Sequence, residues 1–322
     1  MNRIWITWEM QRRSIELAKK LNCTLYIIEE DGSFRYPKVI WRTIQILIKT
    51  RPEIVFVQNP SMILAAFACL YKILTGTPVV VDRHTTFLLD RVYPWTFRLI
   101  IFKLFHLFTI KWADLTIVTN EFLANIVSGM NGKPYILPDP LPNISMFNKC
   151  TLRGKMNILM ISSFGVDEPI SEVTKAMGSF NEEVFLYVTG NDKKIDNKTK
   201  ESAPPNVIFT GFLDDKDFVN MLFSVDAIMV LTTAESCMLC GCYEAVAAKK
   251  PLITSDKEEL KKYFSGAVFV DNTALGIKHG IIEVKDNLDT HKKEIIALQN
   301  KLVDQWENQR LELERQLSNL IK

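Results

Sequence analysis

Short, unbroken runs of aliphatic and β-branched residues recur along this chain, and between them lie stretches with the 3.6-residue spacing of helices. Arg3 to Thr7, Thr24 to Ile28, Ile54-Val55-Phe56-Val57, Pro78-Val79-Val80-Val81-Asp82, Leu115 to Val118 and Tyr135 to Leu137 read as strands. Helical stretches at about Gln11 to Leu21, Val39 to Lys49 and Met62 to Leu74 separate the earlier ones. A strand that is apolar on both sides must be covered on both sides. That is the condition of a parallel sheet clothed by crossover helices, so the chain is expected to be α/β and built from βαβ units.

The series breaks at Pro138-Asp139-Pro140-Leu141-Pro142 and a polar stretch to Gly154, then restarts at Met156 to Ile161. Val184 to Thr189, Val207 to Phe209, Ala227 to Leu231, Pro251 to Ile253 and Ala267 to Val270 continue it. A chain of 322 residues exceeds what one core usually occupies, and 48% hydrophobic residues supply enough apolar material for two. Two Rossmann-like domains in tandem are expected, 1–150 and 151–302, each a parallel sheet between helices. The charged end of the chain, with Ile295, Leu298, Leu302, Trp306 and Leu313 at helical spacing, closes it as C-terminal helix, and 303–322 is expected to pack back on the first domain.

Charge and cysteine usage exclude several classes. A net charge of +2 gives no electrostatic footprint for nucleic acid. The start of the chain, Met1 to Glu9, turns charged too soon for a signal peptide, and Lys103, His106 and Lys111 interrupt the most apolar stretch before it could span a bilayer. Three of the six cysteines fall between Cys237 and Cys242, which is no secreted disulfide framework. A reducing, cytoplasmic setting is expected.

The segment Glu235-Ser236-Cys237-Met238-Leu239-Cys240-Gly241-Cys242-Tyr243-Glu244-Ala245 follows a buried strand, enters a helix and runs on to Pro251-Leu252-Ile253-Thr254-Ser255-Asp256. A helix start beyond a strand offers N–H groups and a positive dipole end to a diphosphate, and a carboxylate on the helix can accept from hydroxyls. This segment resembles the donor-binding region of glycosyltransferase family 4, whose members have the GT-B fold. The resemblance implies that Glu244 binds the donor ribose and that Glu235 sits near the donor sugar, and the backbone amides of Leu239, Cys240 and Gly241 at the helix start are expected to meet the diphosphate. One departure stands out: eight residues separate the two glutamates where the family has seven, which leaves Glu235 open between that role and a surface position. A second similar stretch, Asn206 to Leu213, implies nucleobase contacts from Gly211, Phe212 and Leu213, although Gly211 also suits a plain strand-to-helix turn.

In the first domain, Val81-Asp82-Arg83-His84-Thr85-Thr86 carries His84 just past a parallel strand, at the edge where open α/β sheets bind ligands. The resemblance implies that His84 works close to the reacting sugar, where an imidazole can donate to a hydroxyl or to the leaving phosphate. The loop Trp8 to Ser14 lacks the paired glycines common in GT-B enzymes and brings Arg12 and Arg13 instead. These are either phosphate ligands, for donor or acceptor, or an exposed first helical turn. The loop Ser162 to Pro169 lacks the Arg and Lys that many family members place on the diphosphate.

No cofactor and no metal are expected: the thiols of Cys237, Cys240 and Cys242 crowd one junction with no histidine nearby, and no DxD motif is present. The resemblance implies a retaining hexosyl transfer from a nucleotide-diphosphate sugar to a lipid-linked or glycan acceptor, in polysaccharide or glycoconjugate synthesis. The second domain would hold the donor and the first the acceptor. Alternatives are a GT-B nucleotide-sugar epimerase or a degenerate subunit that binds nucleotide and supports a partner. Residues 91–112 mix aromatic, aliphatic and basic side chains, and are expected to lie on an anionic membrane surface, making the protein peripheral there.

Overall fold

A computed structural model describes residues 2–321 apart from 33, 60, 86–96, 181–182 and 196. The chain divides into two compact units, Met1–Pro140 with Gln305–Lys322, and Leu141–Asp304.

In unit 1, strands β1 (Arg3–Thr7), β2 (Thr24–Ile27), β3 (Ile54–Gln58), β4 (Val79–Arg83), β5 (Leu115–Val118) and β6 (Pro134–Ile136) form one parallel sheet in the order β2-β1-β3-β4-β5-β6. Helices α1 (Arg12–Lys20), α2 (Arg35–Thr50), α3 (Met62–Thr75), α4 (Phe97–Trp112) and α5 (Glu121–Gly129) connect them. Side-chain alternation sends Ile4, Ile6, Val55, Val57, Val79 and Val81 to the face covered by α2 and α3, and Trp5, Phe56 and Val80 to the face covered by α1. Both faces are buried at β1, β3, β4 and β5, which explains why these strands read as continuous apolar runs. α2 starts at Arg35, four residues before the apolar spacing becomes visible at Val39, because Pro37 lies in its first turn, where no N–H is required.

In unit 2, strands β7 (Met156–Ile161), β8 (Val184–Thr189), β9 (Val207–Gly211), β10 (Ala227–Val230), β11 (Leu252–Ser255) and β12 (Val268–Val270) form a second parallel sheet, ordered β12-β11-β10-β7-β8-β9. Its helices are α6 (Ile170–Met177), α7 (Asn197–Glu201), α8 (Asp215–Ser224), α9 (Cys240–Ala247), α10 (Glu258–Tyr263) and α11 (Ala274–Asp286). The last helix, α12 (Leu288–Asn319), gives its first half to unit 2 and its second to unit 1.

The division falls at Pro140, not at residue 150. Leu141, Ile144, Cys150 and Leu152 pack against the core that contains Leu159 and Phe185, so this polar-looking connection belongs to unit 2. The end of the chain is part of unit 1. Trp306, Leu313 and Leu317 share a core with Trp5, Leu17 and Phe56, Trp306 Nε1 donates to the Pro138 carbonyl at 2.9 Å, and Arg3 pairs with Glu314 at 2.7 Å.

Each sheet has a point where the strand order reverses, between β1 and β3 in unit 1 and between β7 and β10 in unit 2. Crevices beyond the carboxyl ends of strands at such points are where open α/β sheets take ligands. Among the described residues no helix is long and apolar enough to cross a membrane.

Candidate active site

In unit 2 the reversal point is flanked by the loops after β7 and β10, and both hold strained backbone. Phe164 and Ser236 have φ of 54° and 59°, values that non-glycine residues rarely adopt. Hydrogen bonds lock the loops together. Thr232 Oγ1 donates to Asp167 Oδ2 at 2.5 Å, Thr232 N to Ser255 Oγ at 2.9 Å, and Asn272 Nδ2 to the Thr232 carbonyl at 2.8 Å.

Helix α9 begins at this floor. Leu239 is its N-cap and no side chain caps it; a helix start of that kind offers first-turn N–H groups and a positive dipole end to an outside anion. Gly241 sets its depth, since a Cβ there would lie 3.0 Å from Val230 of β10 and 3.2 Å from Ile161 of β7. Glu244, one turn further on, is buried at 8% exposure. Cys240 is exposed, whereas Cys242 is buried and burial pushes its thiol up to about 12. Among the described residues no group of three or more His, Cys, Asp or Glu is placed to hold a metal ion.

Glu235 projects into solvent from the loop before α9, and the Lys257 ammonium, itself largely buried, pairs with it. Gly211 ends β9 with a φ of 72°, followed by a strongly exposed Phe212 (82%) and a half-buried Leu213. Gly190, not singled out in the sequence, follows β8 with a φ of 136°, and a Cβ on it would lie 2.1 Å from the Ser162 carbonyl oxygen. The backbones after β7 and β8 therefore touch where only glycine fits.

Two cations missed by sequence reasoning approach this edge. Besides Lys257, the Lys194 ammonium lies 3.3 Å from the Ser163 carbonyl. The loop after β7 has an anion of its own: Glu168 accepts from Ser163 N at 2.9 Å, Phe164 N at 3.1 Å, Ser163 Oγ at 2.8 Å and the Ser162 hydroxyl.

In unit 1 His84 follows β4 with its side chain 16% exposed, and its Nδ1 meets Asp82 Oδ2 at 3.1 Å. Residues 82 and 84 lie on the same side of the strand, which brings the carboxylate under the ring. Burial alone would raise the Asp82 pKa, but the Arg13 charge and the His84 hydrogen bond outweigh it and hold the carboxyl at about 2. A carboxylate at Nδ1 fixes the imidazole with Nε2 outward, available to accept or, once protonated, to donate.

Arg13 and Arg12 diverge. Arg13 is buried, with Nε and Nη2 on Asp82 at 3.0 and 2.9 Å, Nη1 on Asp139 at 2.6 Å and Nη2 also on the Leu137 carbonyl at 2.9 Å. Arg13 is thus a buried structural cation, and lies outside both readings that the sequence left open, phosphate ligand and exposed first turn. Burial disfavours its charge, yet Asp82 and Asp139 raise its pKa well above the usual value. Arg12 is exposed on the same turn. Arg83, between Asp82 and His84, points to the opposite face, where Nη1 meets His106 Nδ1 at 2.6 Å and Nη2 donates to Asn59 and Thr109 at 3.2 Å. Burial and the Arg83 charge push the His106 pKa down to about 3. Of the segment expected at a membrane, residues 91–96 lie outside the described residues, and the rest is α4.

Comparison with known proteins agrees with this architecture. Residues 24–138 match the family model Glycosyltransferase Family 4. Sucrose-phosphate synthase from Thermosynechococcus elongatus superposes with a TM-score of 0.78 at 12% identity, over 99% of each chain. Anabaena HepE in complex with UDP gives 0.73 at 10% identity, covering 99% of this chain and 100% of that one. A glycosyltransferase from Rickettsia africae gives 0.71 at 14% identity, over 100% and 90%. No curated protein matches the chain. Two parallel six-stranded sheets, each between helices, and a long closing helix make this a GT-B protein. Its resemblance is to glycosyltransferase family 4.

Proposed function

We propose that this chain is a glycosyltransferase that moves a hexosyl group from a nucleotide-diphosphate sugar to a lipid-linked or saccharide acceptor, with retention and without a catalytic metal. The setting proposed is cell-surface polysaccharide or glycoconjugate synthesis at the cytoplasmic face of a membrane, with residues 91–112 toward anionic lipid. The observation that carries the reading is the uncapped start of α9 at the β7–β10 reversal point, with Gly241 pressed on both strands and a buried Glu244 one turn away. Support comes from the family match and from a fold shared with HepE, whose structure holds UDP.

On this reading, the chemistry is stabilisation of a departing nucleoside diphosphate and of an oxocarbenium-like sugar. The α9 dipole end with Leu239, Cys240 and Gly241, together with Lys257, takes the diphosphate charge. Glu244 accepts from the ribose hydroxyls and Glu235 lies toward the sugar, while Gly211, Phe212 and Leu213 border the base. In unit 1, His84 donates to a sugar hydroxyl or the leaving phosphate, steadied by Asp82, and Arg12 meets a phosphate of donor or acceptor.

The test is thermal unfolding with UDP, GDP, ADP, CMP or TDP, for the native chain and for Glu244→Gln. A ligand of the folded state at one hundred times its Kd adds about 2.7 kcal/mol of stability. Stabilisation by one diphosphate, lost in Glu244→Gln, is expected, followed by acceptor-dependent release of that diphosphate from its sugar. Stabilisation by none of them would sink the reading in favour of a degenerate subunit, and an epimer or free sugar formed without acceptor would replace it with the epimerase alternative.

A further inference from the structure

The face of unit 1 built by α2, α3 and α4 has an uncommon composition. These helices of 16, 14 and 16 residues contain eight Lys or Arg and no Asp or Glu. At the chain's average of 37 acids in 322 residues, about five would fall there. α2 and α3 share one core on one side of the sheet, where Val39 and Leu47 meet Leu64 and Ala68. α4 packs beside α3, and the Lys72 ammonium ties them by bonds to the Trp112 carbonyl at 2.9 Å and to Asp114 at 2.7 Å.

The outward side of this layer is apolar. Trp41 and Ile48 on α2, Leu70 and Leu74 on α3, and Leu104 and Phe105 on α4 are all exposed, Leu74 at 84%. Single exposed leucines are ordinary, but three adjacent helices presenting such residues form a patch of the kind that marks an interaction surface. Lys38 and Arg42 pair with Glu30 and Lys72 with Asp114, while Lys49 and Lys111 flank the patch with no acidic partner among the described residues. An open groove of about 340 Å³ between α2 and the edge strand β2 is lined by Lys49, Ile27, Ile46 and Arg42, the last paired with Glu30 at 2.6 Å.

We infer that the α2–α3–α4 layer docks unit 1 on an anionic lipid bilayer, its apolar side chains entering the interface and its lysines meeting the headgroups. Helices free of acids favour a negatively charged occupant, and a broad apolar patch suits a fluid apolar phase. This deepens the membrane part of the proposed function. It extends beyond residues 91–112 to α2 and α3, and stands apart from donor binding.

The experiment is vesicle flotation of the full chain without nucleotide, on phosphatidylcholine alone and with about one third phosphatidylserine. Binding to the anionic vesicles, weakened by salt, is expected. Each lysine near such a surface contributes about five-fold to partitioning, so Lys49→Glu with Lys111→Glu should lower it by at least about twenty-five-fold. Leu74→Ser with Leu104→Ser, at exposed positions, should also abolish flotation while the thermal midpoint stays unchanged. Equal binding to neutral vesicles would overturn the charge argument. Absence of flotation would overturn the proposal, and a concentration-dependent dimer broken by the serine variant would overturn it by assigning the face to a second copy of the chain. Flotation does not involve donor binding, so its failure and a failure to bind diphosphates are told apart.

Discussion

Replacing Arg13 with methionine separates a structural arginine from a phosphate ligand. The guanidinium is buried and gives four hydrogen bonds to Asp82 and Asp139. Asp82, held at about 2, lies well below an ordinary aspartate, a depression that contributes native stability at neutral pH on the order of a few kcal/mol. Removing one partner of a buried pair costs about 3–5 kcal/mol, because the other charge stays buried and uncompensated. A loss of about 3–5 kcal/mol is therefore expected at pH 7. Since the folded pKa of Asp82 is depressed, its contribution is present above the unfolded value near 4 and disappears as pH falls toward 2. In Arg13→Met burial drives the lone carboxyl upward, so the gap between the native chain and the variant is widest at pH 7 and narrows at pH 4. Urea unfolding at pH 7, 5 and 4, followed by the fluorescence of the buried Trp5, Trp8 and Trp306, measures it. Arg13→Met with Asp82→Asn should recover part of the loss. A penalty below about 1 kcal/mol with weakened diphosphate binding would refute the reasoning and return Arg13 to the phosphate.

Gly190→Ala should cost at least about 2 kcal/mol in urea unfolding, since its Cβ would overlap the Ser162 carbonyl at a φ of 136°; a native midpoint would show that the loop after β7 shifts freely. His84→Gln should lower turnover about 10²- to 10⁴-fold with diphosphate affinity unchanged, as for the loss of a general acid or base, and an unaltered pH–rate profile would remove His84 from the chemistry. Lys257→Met should weaken diphosphate binding about ten-fold without changing stability; unchanged binding would restrict Lys257 to steadying Glu235.

The fold was readable because burial on both faces forces β-branched runs, and no other arrangement of Val79-Val80-Val81 between helices satisfies both sides. The connection after Pro140 was misplaced because Leu141, Ile144 and Leu152 are spaced among polar residues, and only packing shows that they meet Phe185. Arg12 and Arg13 look alike in sequence. Yet Arg13, Leu17 and Leu21 recur every fourth residue, and Leu17 and Leu21 are wholly buried, so helical phase alone could have placed Arg13 inward. The Asp82–His84 pair was equally legible, as an i, i+2 relation at a strand end. Lys257 with Glu235, 22 residues apart, and Lys194 with Ser163, 31 apart, were not, because the contacts join loops after different strands, which no local pattern encodes.

The loop after β7 clarifies where donor charge has to be met. Its amides at Ser163 and Phe164, with two serine hydroxyls, form a nest for an anion, and Glu168 already fills it. A diphosphate drawn to that loop would meet a carboxylate instead of the Arg and Lys usual in the resembled family. Like charge repels it there, whereas an uncapped helix start attracts it. On the proposed reading the phosphate-binding task falls to α9, while Lys257, just after β11, pairs with Glu235, and Lys194, in the turn after β8, donates to the Ser163 carbonyl. On that reading the missing pair is offset by cations from neighbouring strands, which diphosphate binding by Lys257→Met and Lys194→Met would test; Gly190 brings the backbones after β7 and β8 into contact.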